Sequence, residues 1–248
     1  MKDWFILDTG KHSGNFNMDF DLRLVDKVRE EGFSFLRFYQ WEPFAISLGY
    51  HQKIETINEE LCARDSIDIV RRPTGGRAIL HSDELTYSVT TPLEMFSPYE
   101  IYYSINFALL EGLHLYDERL KSVELEKAQI DFKDFYKSSR SIPCFSSSAR
   151  NEIKFQNKKL IGSAQRVIND VILQHGSILL GDYHKKIVDY LNLDDEEKKF
   201  LKDDLDAKTI SLKEILNSEV DLERLKFCLK RGFEKVFEIN FVESEILI

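Results

Sequence analysis

Residues 4–49 read WFILDTGKHSGNFNMDFDLRLVDKVREEGFSFLRFYQWEPFAISLG, and this stretch decides the fold class. Trp4–Asp8 is an apolar run bounded by polar residues and predicts a first strand. From Asn17, the apolar residues Met18, Leu22, Val25 and Val28 recur at helical spacing until Gly32 stops the pattern. Phe35–Tyr39 and Phe44–Gly49 then predict two strands around a Trp-Glu-Pro turn. Strands and a helix in alternation argue for a mixed α/β domain.

Working outward, Thr56-Ile57-Asn58-Glu59 has the form of a capping box, so a short helix should carry Leu61 and Cys62. Ile67–Val70 predicts a further strand. Ser97-Pro98-Tyr99-Glu100 combines the same box with proline at the first helical position and opens a long helix burying Ile101, Ile105 and Leu109. Glu152–Phe155 and Lys159–Gly162 flank Asn157-Lys158 and predict a hairpin. Val171–Gln174 and Ser177–Leu180 are apolar runs interrupted at His175-Gly176. The remainder reads as helical, with a capping box at Ser211-Leu212-Lys213-Glu214 and a longer helix from about Asp221. Its many acids predict a solvated outer layer. The expected architecture is a single α/β domain spanning 1–248, a mixed central sheet flanked by helices, with a helical C-terminal extension over about 190–248.

Composition narrows the class. With 248 residues, 43% hydrophobic, 31% charged, 11 Gly and 5 Pro, the chain is neither fibrous nor disordered. Its net charge of −9 predicts no nucleic-acid binding. No apolar run approaches the ~18 residues of a membrane span, and MKDWFILDTG lacks the features of a signal peptide. Three cysteines, Cys62, Cys144 and Cys228, are an odd, widely spaced set without CxxC, which speaks against a disulfide framework or a metal site. The expectation is a reduced cytoplasmic protein.

Two stretches could carry chemistry. In Arg71-Arg72-Pro73-Thr74-Gly75-Gly76-Arg77-Ala78, paired glycines let the backbone approach a ligand closely. On Gly-Gly alone, a tight loop with exposed arginines is the plainer reading. Cys144 sits in the small, polar run Ser-Ile-Pro-Cys-Phe-Ser-Ser-Ser, whereas Cys62 and Cys228 lie in helical patterns where cysteine is usually a small buried hydrophobe. Cys144 alone is placed like a nucleophile, and a reactive thiol wants positive charge nearby. Residues 133–166 supply it: Lys133, Lys137, Arg140, Arg150, Lys154, Lys158, Lys159 and Arg166 against Asp134 and Glu152 give +6. A solvated charged face would look the same in a linear count. His81 and His175 are candidate bases, although such residues are commonly hydrogen-bonded structural histidines.

Taken in order, these pieces resemble the biotin/lipoate protein ligase superfamily. The motif Arg-Arg-x-Thr-Gly-Gly-x-Ala-x-x-His ends at His81, and Lys-x-x-Gly-Ser-Ala spans Lys159, Gly162, Ser163 and Ala164. Glu84-Leu85-Thr86-Tyr87-Ser88, Pro143-Cys144-Phe145 and Leu173-Gln174-His175-Gly176-Ser177 bring the similarity closest to the LipM-type octanoyltransferases, over roughly residues 3–190. The resemblance implies transfer of octanoyl from acyl carrier protein to a lysine of a lipoyl domain, either a glycine cleavage H protein or an E2 subunit. It implies Cys144 as the thioester nucleophile and Lys159 as the cation that lowers its pKa. The substrate-binding residues it implies are Arg71, Thr74, Gly75, Gly76, Arg77, His81, Gly162, Ser163, Ala164, His175 and Gly176, with Arg71 to Arg77 lining the acyl channel and its mouth. A thioester donor is already activated, so neither ATP nor another cofactor is expected, and the chain is expected to act as a monomer. An ATP-dependent lipoate ligase and an amidotransferase between lipoyl domains are the competing readings.

Overall fold

A computed structural model of the chain describes residues 3–126 and 152–242. The elements run β1 (Trp4–His12), α1 (Gly14–Glu31), β2 (Ser34–Trp41), β3 (Ala45–Leu48), α2 (Glu59–Arg64), β4 (Asp68–Arg71), β5 (Ile79–His81), β6 (Glu84–Pro92), α3 (Pro98–Tyr116) and β7 (Val123–Leu125). After residue 152 come β8 (Ile153–Phe155), β9 (Lys158–Ile168), β10 (Val171–Leu179), α4 (Asp195–Lys208), α5 (Leu212–Leu216), α6 (Leu222–Phe237) and β11 (Phe241–Val242). One sheet has the order β11-β1-β2-β6-β10-β9-β8-β7, and a second has the order β4-β3-β5. In the large sheet β1 is parallel to both β11 and β2, and all other pairs are antiparallel. This is the mixed sheet flanked by helices that the sequence predicts. Among the described residues no helix is long and apolar enough to cross a membrane.

Alternation along β2 builds both sides of the molecule. Leu36 and Phe38 enter the main core with Ile101, Ile105 and Leu109 of α3, while Phe35 packs with Leu24, Val25 and Val28 of α1 on the other side. The small sheet joins α4 and the 3-10 segment Tyr183–Tyr190 in a separate cluster around Ile46, Leu48, Leu80 and Leu205.

The C-terminal region departs from the predicted solvated layer. Leu225, Leu229 and Phe233 of α6 belong to the same core as α3, and β11 adds a parallel strand beyond β1. Two glycines permit the close helix crossing. A Cβ on Gly232 would lie 2.2 Å from the Ala108 carbonyl oxygen, and one on Gly112 would lie 2.6 Å from the Leu229 Cα. The acids mark only the outward face of these helices.

Smaller corrections have local causes. The cap of α2 is Asn58, whose side chain accepts from Leu61 N, while Thr56 ends a 3-10 turn and donates to the Lys53 carbonyl. The β8–β9 turn centres on Gln156 and Asn157, both at positive φ, one residue earlier than predicted. His175-Gly176 does not interrupt β10, because Gly176 is there for packing. A Cβ would meet the Gly162 carbonyl oxygen at 2.5 Å and the Tyr87 ring at 2.7 Å. The Ser97 and Ser211 capping boxes form as the sequence predicts.

Candidate active site

The large sheet, the small sheet and α1 form the walls of a partly open, apolar cavity. Met18, Tyr39, Trp41, Ile79 and the Gly162–Ala164 segment supply much of its wall, together with Arg72, Ser47, His81, Thr86 and His175–Ser177. The presence of several polar side chains around a largely apolar space calls for an account of where their polar atoms go.

They go into two buried chains of hydrogen bonds. In the first, α1 carries Asp21 on its inner face, where it accepts from Arg37 (2.8 Å), Ser88 (2.8 Å), Tyr39 (3.2 Å) and His175 Nδ1 (3.2 Å). Burial opposes the charge on Asp21, but the hydrogen bond from His175, the Arg37 cation and Ser88 hold its pKa below the usual aspartate value. An ionised Asp21 fixes the His175 tautomer: Nδ1 carries the proton, and Nε2 accepts from the Thr74 hydroxyl at 2.6 Å. Burial also pushes the His175 pKa down despite Asp21, so the ring is neutral at pH 7.

The second chain repeats the pattern. Glu84 Oε1 accepts from His81 Nδ1 (2.8 Å), Thr86 (2.6 Å) and Ser177 (2.8 Å). Burial opposes its charge, and His81 and the two hydroxyls outweigh that and lower its pKa. His81 Nε2 meets Ser47 Oγ at 2.7 Å, and Ser47 Oγ in turn accepts from Arg72 at 3.0 Å. Trp41 stacks on the His81 ring at 3.9 Å and donates to Thr86 at 2.7 Å. Both imidazoles therefore have their two nitrogens tied to protein groups, and the cavity is left with carbon surfaces and ring faces.

The predicted residues fall into groups. His81, Gly162, Ser163, Ala164, His175 and Gly176 line the cavity. Thr74 sits behind it on His175. Gly75 and Gly76 are exposed at the loop tip, and the Gly75 and Arg77 carbonyls accept from the Arg72 guanidinium. Arg71 departs from the expected channel-lining role. Its Nη1 donates to the carbonyls of Gly49 (2.9 Å), Tyr50 (3.1 Å) and Gln52 (2.6 Å), clamping the neighbouring loop, while Arg72 turns inward to the cavity. Gly49 makes that clamp possible, since a Cβ there would lie 2.0 Å from the Gly76 carbonyl oxygen.

Lys159 is not an ordinary solvated strand lysine. Its Nζ lies 3.0 Å from Glu152 Oε1, and both side chains are buried. The pairing of β8 with β9 slips by one residue between Lys159 and Ile161. Such a bulge re-aims side chains: Leu160 and Ile161 both enter the core beside α3, so Lys159 leaves the strand on the same side as Gly162. Cys144 lies outside the described residues, as do Lys133, Lys137, Arg140 and Arg150. Cys62 and Cys228 are buried, and burial raises both thiol pKa values, that of Cys62 to about 11.

The sequence reading gave no site role to Asp21, Arg37, Ser47, Trp41 or Glu84, although Glu84 stands in one of the family motifs. Asp21 left a signal. It stands three residues after Met18 and four before Val25, on the apolar stripe of α1, while Leu22 is 39% exposed.

The profile of the lipoyl protein ligase A/B catalytic domain family matches residues 13–234. Octanoyltransferase LipM of Lysinibacillus sphaericus is 35% identical over 250 residues, covering 97% of this chain and 89% of that protein. Octanoyltransferase LipM of Clostridioides difficile is 32% identical over 253 residues, covering 99% and 91%. Among solved structures, a bipartite lipoate protein ligase from Thermoplasma acidophilum superposes with TM-score 0.77 at 18% identity, covering 98% of this chain and 87% of that one. Lipoate-protein ligase A bound with ATP gives TM-score 0.73 at 20% identity, covering 98% and 88%. At these identities the structural likeness concerns the fold.

Proposed function

The chain belongs to the lipoyl protein ligase A/B catalytic domain family as an octanoyltransferase of the LipM type, and on that premise we propose that it takes octanoyl from acyl carrier protein onto Cys144 and passes it to a lipoyl-domain lysine. The observation that supports this most is the cavity, whose histidine nitrogens are bonded within the wall. An alkyl chain entering it leaves water at a gain of ~0.8 kcal/mol per buried CH₂ and displaces no hydrogen bond.

The Cys144 thiolate attacks the donor thioester, the carrier's thiol departs, and an acyl-enzyme thioester remains. The acceptor amine then attacks that carbonyl. The Cys144 sulfur leaves, and the amine's protons pass to the thiolate and to solvent. A thiol of pKa ~8.5 is mostly protonated at pH 7, and a neighbouring cation raises its thiolate fraction, the role we assign to Lys159. Because one thioester is exchanged for another before amide formation, the scheme uses no ATP. The scheme needs Cys144 as a free thiol, which fits a reducing cytoplasm, and we take the single chain as its working unit.

The test is intact mass. Incubation with octanoyl-acyl carrier protein should add one octanoyl group, removable by hydroxylamine, and an apo lipoyl domain should then accept it without ATP. Turnover that survives Cys144→Ala, or transfer that depends on ATP, overturns the scheme.

A further inference from the structure

We propose that the surface formed by Tyr50, Lys53, Arg71 and Arg166 around Gly75 is the docking site for the acceptor domain, which meets it with a carboxylate-rich surface around the target lysine. The proposal rests on the octanoyl-transfer reading and names where its second half-reaction takes place.

The first observation is charge without a counter-charge. Several exposed cations on this acidic protein meet carboxylates, as in Arg29–Asp26, Lys208–Asp204 and Lys235–Glu111. Around Gly75 they do not. Arg71 is held by three carbonyls, and Arg166 donates to the Pro73 carbonyl at 2.8 Å with its guanidinium 3.9 Å over the Tyr50 ring. Among the described residues neither has a carboxylate partner, and exposed Lys53 forms no ion pair even with Glu55 two positions on. Carbonyls and a ring orient these cations but cancel none of their charge. In a chain of net −9 they make a local positive field that an acidic partner would follow.

The second observation is space. Gly49 and Gly76 are glycine for internal reasons: a Cβ on Gly49 would strike the Gly76 carbonyl oxygen, and Gly76 has φ +94°. Gly75 has no such reason. Its φ lies outside the left-handed region, and a Cβ there would meet nothing within 4 Å. The fold would accept a side chain at this exposed position, so its bareness serves whatever comes down on it. The loop lies against the cavity wall, since Arg72 bonds the Gly75 carbonyl and Thr74 bonds His175.

Reach selects the partner. A lysine amine stands on a four-carbon stem, so the surface that presents it must touch the rim of the cavity. An acyl carrier holds its thioester on a long prosthetic arm and can dock farther away. Tyr50, 44% exposed and braced by Arg166, supplies the aromatic contact that such interfaces favour.

The experiment separates the two half-reactions. The enzyme is first loaded with octanoyl from its carrier, and the acyl-enzyme is then mixed with increasing apo lipoyl domain while intact mass follows its decay. For Lys53→Glu the half-saturating acceptor concentration should rise about fivefold at low salt, with the difference closing at high salt. Arg166→Gln should move it the same way while keeping a donor for Pro73. Gly75→Trp should raise it at least tenfold with an unchanged melting temperature. In the two charge variants, loading by the carrier and deacylation by hydroxylamine should change less than twofold. Loading that slows while the acceptor step is preserved would show a donor face and overturn the proposal, and so would three variants indistinguishable from the parent. A parent that never loads octanoyl overturns the transfer reading itself and the docking proposal with it.

Discussion

Replacing Asp21 with asparagine tests how the site is held together. Asp21 and Arg37 are both fully buried and meet at 2.8 Å. The other Arg37 nitrogens meet Asn17 Oδ1 at 2.6 Å and Thr9 Oγ1 at 3.0 Å, and its guanidinium lies 3.9 Å over the Tyr39 ring. Arg37 cannot escape to water, so an amide at position 21 leaves an uncompensated buried cation. With its oxygen kept on Arg37 and Ser88, it also turns an NH₂ group toward the Tyr39 and His175 donors. Breaking a buried pair in this way costs about 3–5 kcal/mol, a large part of the ~5–15 kcal/mol that holds a domain folded. With a urea m-value near ~3 kcal/mol/M, expected for a chain of this size, the unfolding midpoint should fall by about 1–1.7 M. The pH dependence carries a sign. The folded pKa of Asp21 is lowered, so its contribution is complete above the unfolded value of ~3.9 and is lost as pH falls through the lower folded value. Stability should therefore drop on acidification more steeply in the parent than in Asp21→Asn. In a double-mutant cycle with Arg37→Met, the losses should fall short of additive by at least ~1.5 kcal/mol. A midpoint within 0.3 M of the parent (about 1 kcal/mol at this m-value), or losses that simply add, would refute the argument.

Other outcomes follow from the same geometry. Gly49→Ala should lower the melting temperature, since its Cβ would lie 2.0 Å from the Gly76 carbonyl oxygen, whereas Gly75→Ala, with open space around it, should melt with the parent. In the native protein at pH 7, iodoacetamide should leave buried Cys62 and Cys228 unlabelled, their thiol pKa values being raised; peptide mapping should find the label on Cys144. Lys159→Ala leaves Glu152 without its buried cation and should lower the melting temperature; below that temperature the alkylation of Cys144 should shift to higher pH, and an unchanged curve would remove Lys159 from the activation of the thiol.

How much of this was legible in the sequence depended on whether a residue's role is local. The caps at Ser97 and Ser211, the stop at Gly32 and the buried Ile101, Ile105 and Leu109 follow from neighbours along the chain. The interruption predicted at His175-Gly176 was wrong because the requirement for glycine comes from Tyr87 and Gly162 on adjacent strands. The solvated C-terminal layer was wrong for a related reason. Its acids are visible in the sequence, but the match between Gly112 and Gly232 that lets α3 and α6 touch is not. Family motifs located the cavity-lining residues because those motifs hold the backbone close to it. They could not separate Arg71 from Arg72, which point to opposite sides of β4's end.

The buried polar layer also bears on why such expensive chemistry is placed behind an apolar pocket. An isolated Arg37, Asp21 or Glu84 would cost several kcal/mol to bury, and hydrophobic packing would be the cheaper filling. The two carboxylates, however, each fix one histidine tautomer, and each histidine anchors one hydroxyl: Thr74 beside the Gly75 loop and Ser47 on the small sheet. The loop, the small sheet and the large sheet are thus keyed to one another through directional bonds, which apolar contacts cannot provide. A cavity that must admit an alkyl chain cannot be held open by filling it. Its walls need bracing from behind, and the Asp21 and Glu84 networks supply that bracing while showing the chain only carbon.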